Sequence, residues 1–168
     1  MIFVTVGVQL PFDRLVRAVD GWAATRGRRD VVAQVGATTY QPTAMEAYAF
    51  LKADEFARRV EAADLIVAHA GMGSIITAIE LGKPLFILPR RAALGEHRND
   101  HQLATAGRMA AQANVSLAQD EKVLVQMLDE FRAPRSSGRP SGASERLLCE
   151  LSAFIHASSR RGRTGLDV

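Results

Sequence analysis

Short apolar runs alternate with amphipathic stripes along most of this chain. IFVTV at 2–6 is a β-rich run ended by Gly7, and from Phe12 the spacing changes to Phe12, Leu15, Val16, Val19, Trp22 and Ala23, the i, i+3, i+4, i+7 stripe of a helix. VVAQV at 31–35 and AYAFL at 47–51 predict two further strands separated by a turn-rich segment from Gly36 to Thr43, and DEFARRVEAA at 54–63 predicts a polar-faced helix. LIVA at 65–68 reads as a strand, a glycine-containing loop and helix follow, and LFIL at 85–88 reads as another strand. After the long loop PRRAALGEHR come a helix starting near Asn99, the short run NVSL at 114–117, and the helix DEKVLVQMLDEF at 120–131. Continuously apolar strands are buried on both faces, so their alternation with helices predicts an α/β domain with a parallel sheet and helices on both faces.

That domain is expected over residues 1–132. APRSSGRPSGAS, within 133–144, reads as a flexible linker, and 145–157 places Leu147, Leu148, Leu151, Phe154 and Ile155 on one face of an amphipathic helix suited to docking a partner or covering its own core. Residues 158–168 read as a basic flexible tail.

Composition narrows the class. With 168 residues, 48% of them hydrophobic, the chain can bury one sizeable core. The net charge of +3 is too small to argue for a nucleic-acid partner, and the basic residues gather locally at Arg26, Arg28 and Arg29, at Arg90 and Arg91, and at Arg160, Arg161 and Arg163. A single cysteine, Cys149, excludes an internal disulfide and a cysteine-based zinc cluster and agrees with a reducing cytoplasm. No run approaches the ~18 apolar residues of a spanning helix, and the N-terminus lacks a signal peptide's basic start, so membrane contact is expected to be peripheral.

The chemistry concentrates in AHAGMGSIITAIELGKP, residues 68–84, which lies between two apolar runs. Ligands of open α/β sheets sit beyond the carboxyl ends of the strands, where helix N-termini offer free N–H groups and partial positive charge. Gly71 and Gly73 would let the backbone approach a bulky anion, and Ser74 would cap the helix or donate its hydroxyl to a phosphate. An ordinary strand-to-helix turn uses the same residues. The spacing Gly71, Gly73, Ile76 lacks the third glycine of a nicotinamide fingerprint, and no P-loop lysine is present.

A second polar cluster, EHRNDHQ at 96–102, begins a helix with Asn99 as cap and Gln102 at the capping-box position. It carries more hydrogen-bonding groups than a cap requires, and mixed imidazole, carboxamide and carboxylate groups are what sugar hydroxyls call for. His97 and His101, four apart, have the spacing of a metal pair, but no third ligand is evident and no metal is expected. Arg90, Arg91 and Arg98 would bring positive charge to a diphosphate or an acidic sugar, or form a solvated basic loop.

HAGMGSIITAIELGKPLFILP followed by EHRNDHQLATA, together with the opening VTVGVQLPFDRLV, resembles the C-terminal, donor-binding half of the family 28 GT-B glycosyltransferases, especially their small Alg13-like subunits, over about residues 1–130. The resemblance implies a Rossmann-like domain that holds a UDP-sugar without a metal or other cofactor. It implies that Gly7, Gln9, His69, Gly71, Met72, Gly73, Ser74 and Thr77 surround the nucleotide and diphosphate, and that Asp100, His101 and Gln102 read the donor sugar, N-acetylglucosamine or a uronic acid. Thr77 stands where many relatives carry a ribose-binding glutamate, and a hydroxyl binds ribose more weakly than a carboxylate. The acceptor site and the general base would come from a membrane-anchored Alg14-like subunit that presents a lipid-linked acceptor, with this chain cytoplasmic and peripheral at the inner membrane face. Two other readings stay open from the residues alone: a non-catalytic UDP-sugar-binding adaptor, and a fragment of a UDP-sugar 2-epimerase.

Overall fold

A computed structural model describes residues 1–8, 10–99, 106–107 and 114–133. Gln9, Asp100, His101 and Gln102 lie outside these residues, as do the expected linker beyond Ala133, the helix at 145–157 and the tail.

The described elements run β1 (Ile2–Thr5), α1 (Asp13–Arg26), β2 (Val31–Gln34), β3 (Glu46–Tyr48), α2 (Ala53–Ala62), β4 (Leu65–Ala68), α3 (Met72–Glu80), β5 (Leu85–Ile87), a 3-10 turn (Ala92–Leu94), β6 (Val115–Leu117) and α4 (Glu121–Glu130). All six strands are parallel, in the spatial order β3-β2-β1-β4-β5-β6. Parallel neighbours require a crossover, which α1 supplies from β1 to β2 and α3 from β4 to β5.

Side-chain alternation sends each central strand into two cores. Ile2, Val4, Val31, Ala33, Leu65 and Val67 pack with Leu15, Val16, Val19 and Trp22 of α1 and Leu124 and Leu128 of α4. Phe3, Val32, Ile66, Ala68, Leu85 and Ile87 pack on the other face with Val60 of α2 and Ile75, Ala78 and Ile79 of α3. The expected sheet with helices on both faces is therefore present. Each Leu, Ile or Phe buried in this way contributes about 1.5–3 kcal/mol.

The helix ends follow from local chemistry. Gly27, at φ 61°, closes α1 in the left-handed conformation, with Gly27 N–H donating to Ala24 O and Arg28 N–H to Ala23 O. Asp120 caps α4 by accepting from Val123 N–H at 2.9 Å. One strand differs from expectation. In place of AYAFL at 47–51 the strand is Glu46–Tyr48; past it the Val35 and Gly36 N–H groups still donate to Tyr48 O and Ala49 O, and the Gln34 side chain takes the Leu51 N–H at 3.0 Å.

Candidate functional site

The strand order reverses between β1 and β4, so their carboxyl ends release two loops side by side with Thr5 alongside Ala68. One loop runs from Val6 to Phe12, the other from His69 to Gly71. Such a switch point is where doubly wound sheets bind ligands. The two loops singled out by sequence, far apart along the chain, are thus brought together.

His69 lies at their junction. Its Cε1–Nε2 edge faces both glycines: a Cβ on Gly71 would stand 2.2 Å from Nε2, and a Cβ on Gly7 would stand 2.8 Å from Cε1. Gly7 also adopts φ 75°, which an L side chain rarely tolerates. The two glycines therefore accommodate an imidazole inside the protein, a reason for their presence that the sequence did not disclose. The His69 pKa is lowered from 6.5 to about 4, chiefly by burial and also by the charges of Arg90 and His97, against the Thr5 backbone, which raises it. The ring is neutral near pH 7, and among the described residues its buried Nδ1 meets no hydrogen-bond partner.

The start of α3 stands next to this ring. Gly71 is the N-cap, and no side chain caps the helix. Ile75 N–H makes the first helical bond, to Gly71 O at 3.2 Å, leaving the N–H groups of Met72, Gly73 and Ser74 without an acceptor among the described residues. Their aligned dipoles amount to roughly +0.5 charge at this end. A Cβ on Gly73 would meet nothing within 4 Å, so the flank of the first turn is uncrowded among the described residues. Ser74, read as either a cap or a phosphate donor, makes no cap and sits in the first turn. Thr77 donates its hydroxyl to Gly73 O at 2.9 Å, so it offers a ligand only acceptor capacity.

The arginines divide differently from expectation. Arg90 is 2% exposed and its guanidinium donates to Val6 O, Leu10 O and Pro11 O, so it holds the loop after β1 from within and does not extend toward a ligand. Arg91 donates to Gln119 O, while Arg98 is exposed beside its exposed neighbour Asn99. Glu96, read with the sugar-binding cluster, has its carboxylate taken by Arg14 at 2.6 and 2.8 Å and by Arg91 N–H at 2.9 Å. Sequence reasoning passed over Arg14 and the buried Asp20, which accepts from Tyr40, Thr43 and Ala44 and pins the loop after β2 to α1. Both lie on a helix whose apolar stripe absorbed the attention, and their partners are 20 or more residues away.

Among the described residues no group of three or more His, Cys, Asp or Glu side chains gathers where it could hold a metal. No described helix is long and apolar enough to cross a membrane.

A parallel sheet in this order, with a glycine-flanked helix N-terminus open at its switch point, defines a Rossmann-like domain. The same fold is found in the solution structure of ALG13, which is 18% identical with a TM-score of 0.61 over 92% of this chain and 96% of that one. It also occurs in the glycotransferase of kitacinnamycin, 16% identical with a TM-score of 0.58 over 95% of this chain and 39% of that one. Residues 1–147 match the glycosyltransferase family 28 C-terminal domain, and the chain belongs to that family. It is 30% identical over 115 residues to the UDP-N-acetylglucosamine transferase subunit ALG13 of Homo sapiens and 31% identical over 106 residues to that of Mus musculus. The match covers 62% of this chain but 10% of the human protein, so the chain spans about a tenth of the length of these relatives.

Proposed function

We propose that this chain is the donor-binding subunit of an inverting glycosyltransferase that takes N-acetylglucosamine from UDP-N-acetylglucosamine. The observation that carries the reading is the trio of N–H groups at Met72, Gly73 and Ser74 that meet no acceptor among the described residues, at the switch point where Gly7 and Gly71 flank His69. Family membership and the names of the two mammalian relatives support the sugar. A uronic acid remains the alternative donor.

In this reading the pyrophosphate lies across the α3 N-terminus, with Ser74 donating its hydroxyl and neutral His69 holding the two loops apart. As the acceptor hydroxyl attacks the anomeric carbon from the opposite face, the bond to the β-phosphate oxygen breaks and negative charge grows on UDP. Fixed N–H dipoles directed at that charge stabilise it without reorganising. Gln9 would lie beside the diphosphate, and Asp100, His101 and Gln102 would read the sugar hydroxyls. A second Rossmann-like half must supply the acceptor site and the base that takes the hydroxyl proton. We assign both to a membrane-anchored Alg14-like subunit that presents a lipid-linked acceptor and keeps this chain peripheral at the cytoplasmic face.

Isothermal titration with UDP, UDP-N-acetylglucosamine and UDP-glucuronate tests the site. Weak binding of UDP, strengthened by N-acetylglucosamine, is expected; no heat with any of the three at millimolar ligand overturns the reading. Transfer that appears only with the coexpressed partner distinguishes an enzyme subunit from an adaptor.

A further inference from the structure

The structure points to a second set of residues that act on the donor crevice without lining it. Three carbonyls of the loop after β1, those of Val6, Leu10 and Pro11, converge on the buried Arg90 guanidinium, the first two at 2.9 and 2.7 Å. Arg90 belongs to the loop after β5 and lies 4.6 Å over the ring of Phe12, which is itself 1% exposed. Arg14, two residues past Phe12, lies 5.2 Å from the same ring and reaches back in the opposite direction. It forks onto both Glu96 carboxylate oxygens and donates to Pro89 O at 2.8 Å, closing the loop from Pro89 to Glu96 on itself. Arg90 also reaches Glu96 O at 3.4 Å, so the two arginines meet on one residue.

We propose that Arg90, Arg14 and Glu96 are positioning residues that join the loop after β1 to the loop after β5, so that the two walls of the crevice are set before a ligand arrives. The inference rests on the donor-site reading for its purpose, since the first loop carries Gly7 and the second leads into Asp100, His101 and Gln102. Its geometry stands independently. A planar guanidinium spans several carbonyls at fixed angles, which a lysine ammonium cannot do. A bidentate carboxylate likewise loses its fork when amidated. Ordering both loops in advance removes that entropy cost from binding.

The test uses the full chain as wild type, Arg90→Lys and Glu96→Gln, with amide hydrogen exchange and UDP titration on each. Glu96→Gln, in the second loop, is expected to speed exchange at residues 6–12 as well as at 89–98, with β4 and α4 unchanged. Arg90→Lys should loosen the same two segments, and UDP affinity should fall about tenfold, the equivalent of one well-placed charged hydrogen bond. Loosening confined to the mutated loop overturns the proposal, because a merely local structural role predicts that result. So does unchanged UDP affinity in Glu96→Gln when the wild type binds. If the wild type itself ignores UDP, the donor reading fails, and exchange alone then decides the coupling of the loops. Should Arg90→Lys fail to fold, Glu96→Gln gives both measurements.

Discussion

Gly71→Ala isolates the steric role of the glycine beside His69. Gly71 has φ −85° and ψ 131°, ordinary extended backbone, so alanine meets no torsional penalty there. The new methyl would instead stand 2.2, 2.6 and 3.1 Å from His69 Nε2, Cε1 and Cδ2. Nor can the ring withdraw freely, since Gly7 crowds the same edge and Nδ1 is buried. Overpacking of this kind costs about 1–3 kcal/mol, and replacing glycine by alanine at an N-cap adds roughly 0.5–1 kcal/mol. The expected loss is therefore about 1.5–4 kcal/mol in the wild-type background. With His69→Ala the ring is gone, the clash term vanishes and only the cap term remains. A double-mutant cycle by urea denaturation should show a coupling of about 2 kcal/mol. Equal costs for Gly71→Ala in the two backgrounds would refute the idea that this glycine exists to house the imidazole.

Other outcomes follow from the same geometry. His69 has a folded pKa near 4 against 6.5, so between these values the unfolded chain takes up a proton that the folded chain refuses. Stability is unaffected by His69 above pH 6.5, falls by up to about 3 kcal/mol as pH drops toward 4 and then levels off; urea midpoints against pH should lose this slope in His69→Gln. Burial alone would raise the Asp20 pKa, but hydrogen bonds from Ala44, Tyr40 and Thr43 outweigh it and lower the pKa below 3.8, so its contribution is present above that value and is lost as pH falls below it. Asp20→Asn should cost about 1–3 kcal/mol at pH 7, measured by thermal or urea unfolding, with little change from wild type remaining in strong acid. Ser74→Ala should leave stability within about 0.5 kcal/mol, because Ser74 makes no cap, while UDP affinity measured by titration drops several-fold.

Apolar runs and helical stripes determined the layers of this domain. LIVA at 65–68 became β4 without shift, and α1, α3 and α4 lie where the periodicity placed them, because burial on both sides of a sheet demands such patterns from the residues themselves. The loop at 69–74 was legible for the same local reason: glycines and serine at a strand-to-helix junction mark a helix N-terminus wherever the chain goes. Strand order was not legible, since apolar strands of similar length carry no label for their neighbours. Only the tertiary structure set β1 beside β4, placed Gly7 and Gly71 against one imidazole, and turned Arg90 and Glu96 inward as supports. A charged side chain shows its type in the sequence, but its role depends on which carbonyls and carboxylates the fold brings within about 3 Å, and for Arg90 those partners lie up to 84 positions away.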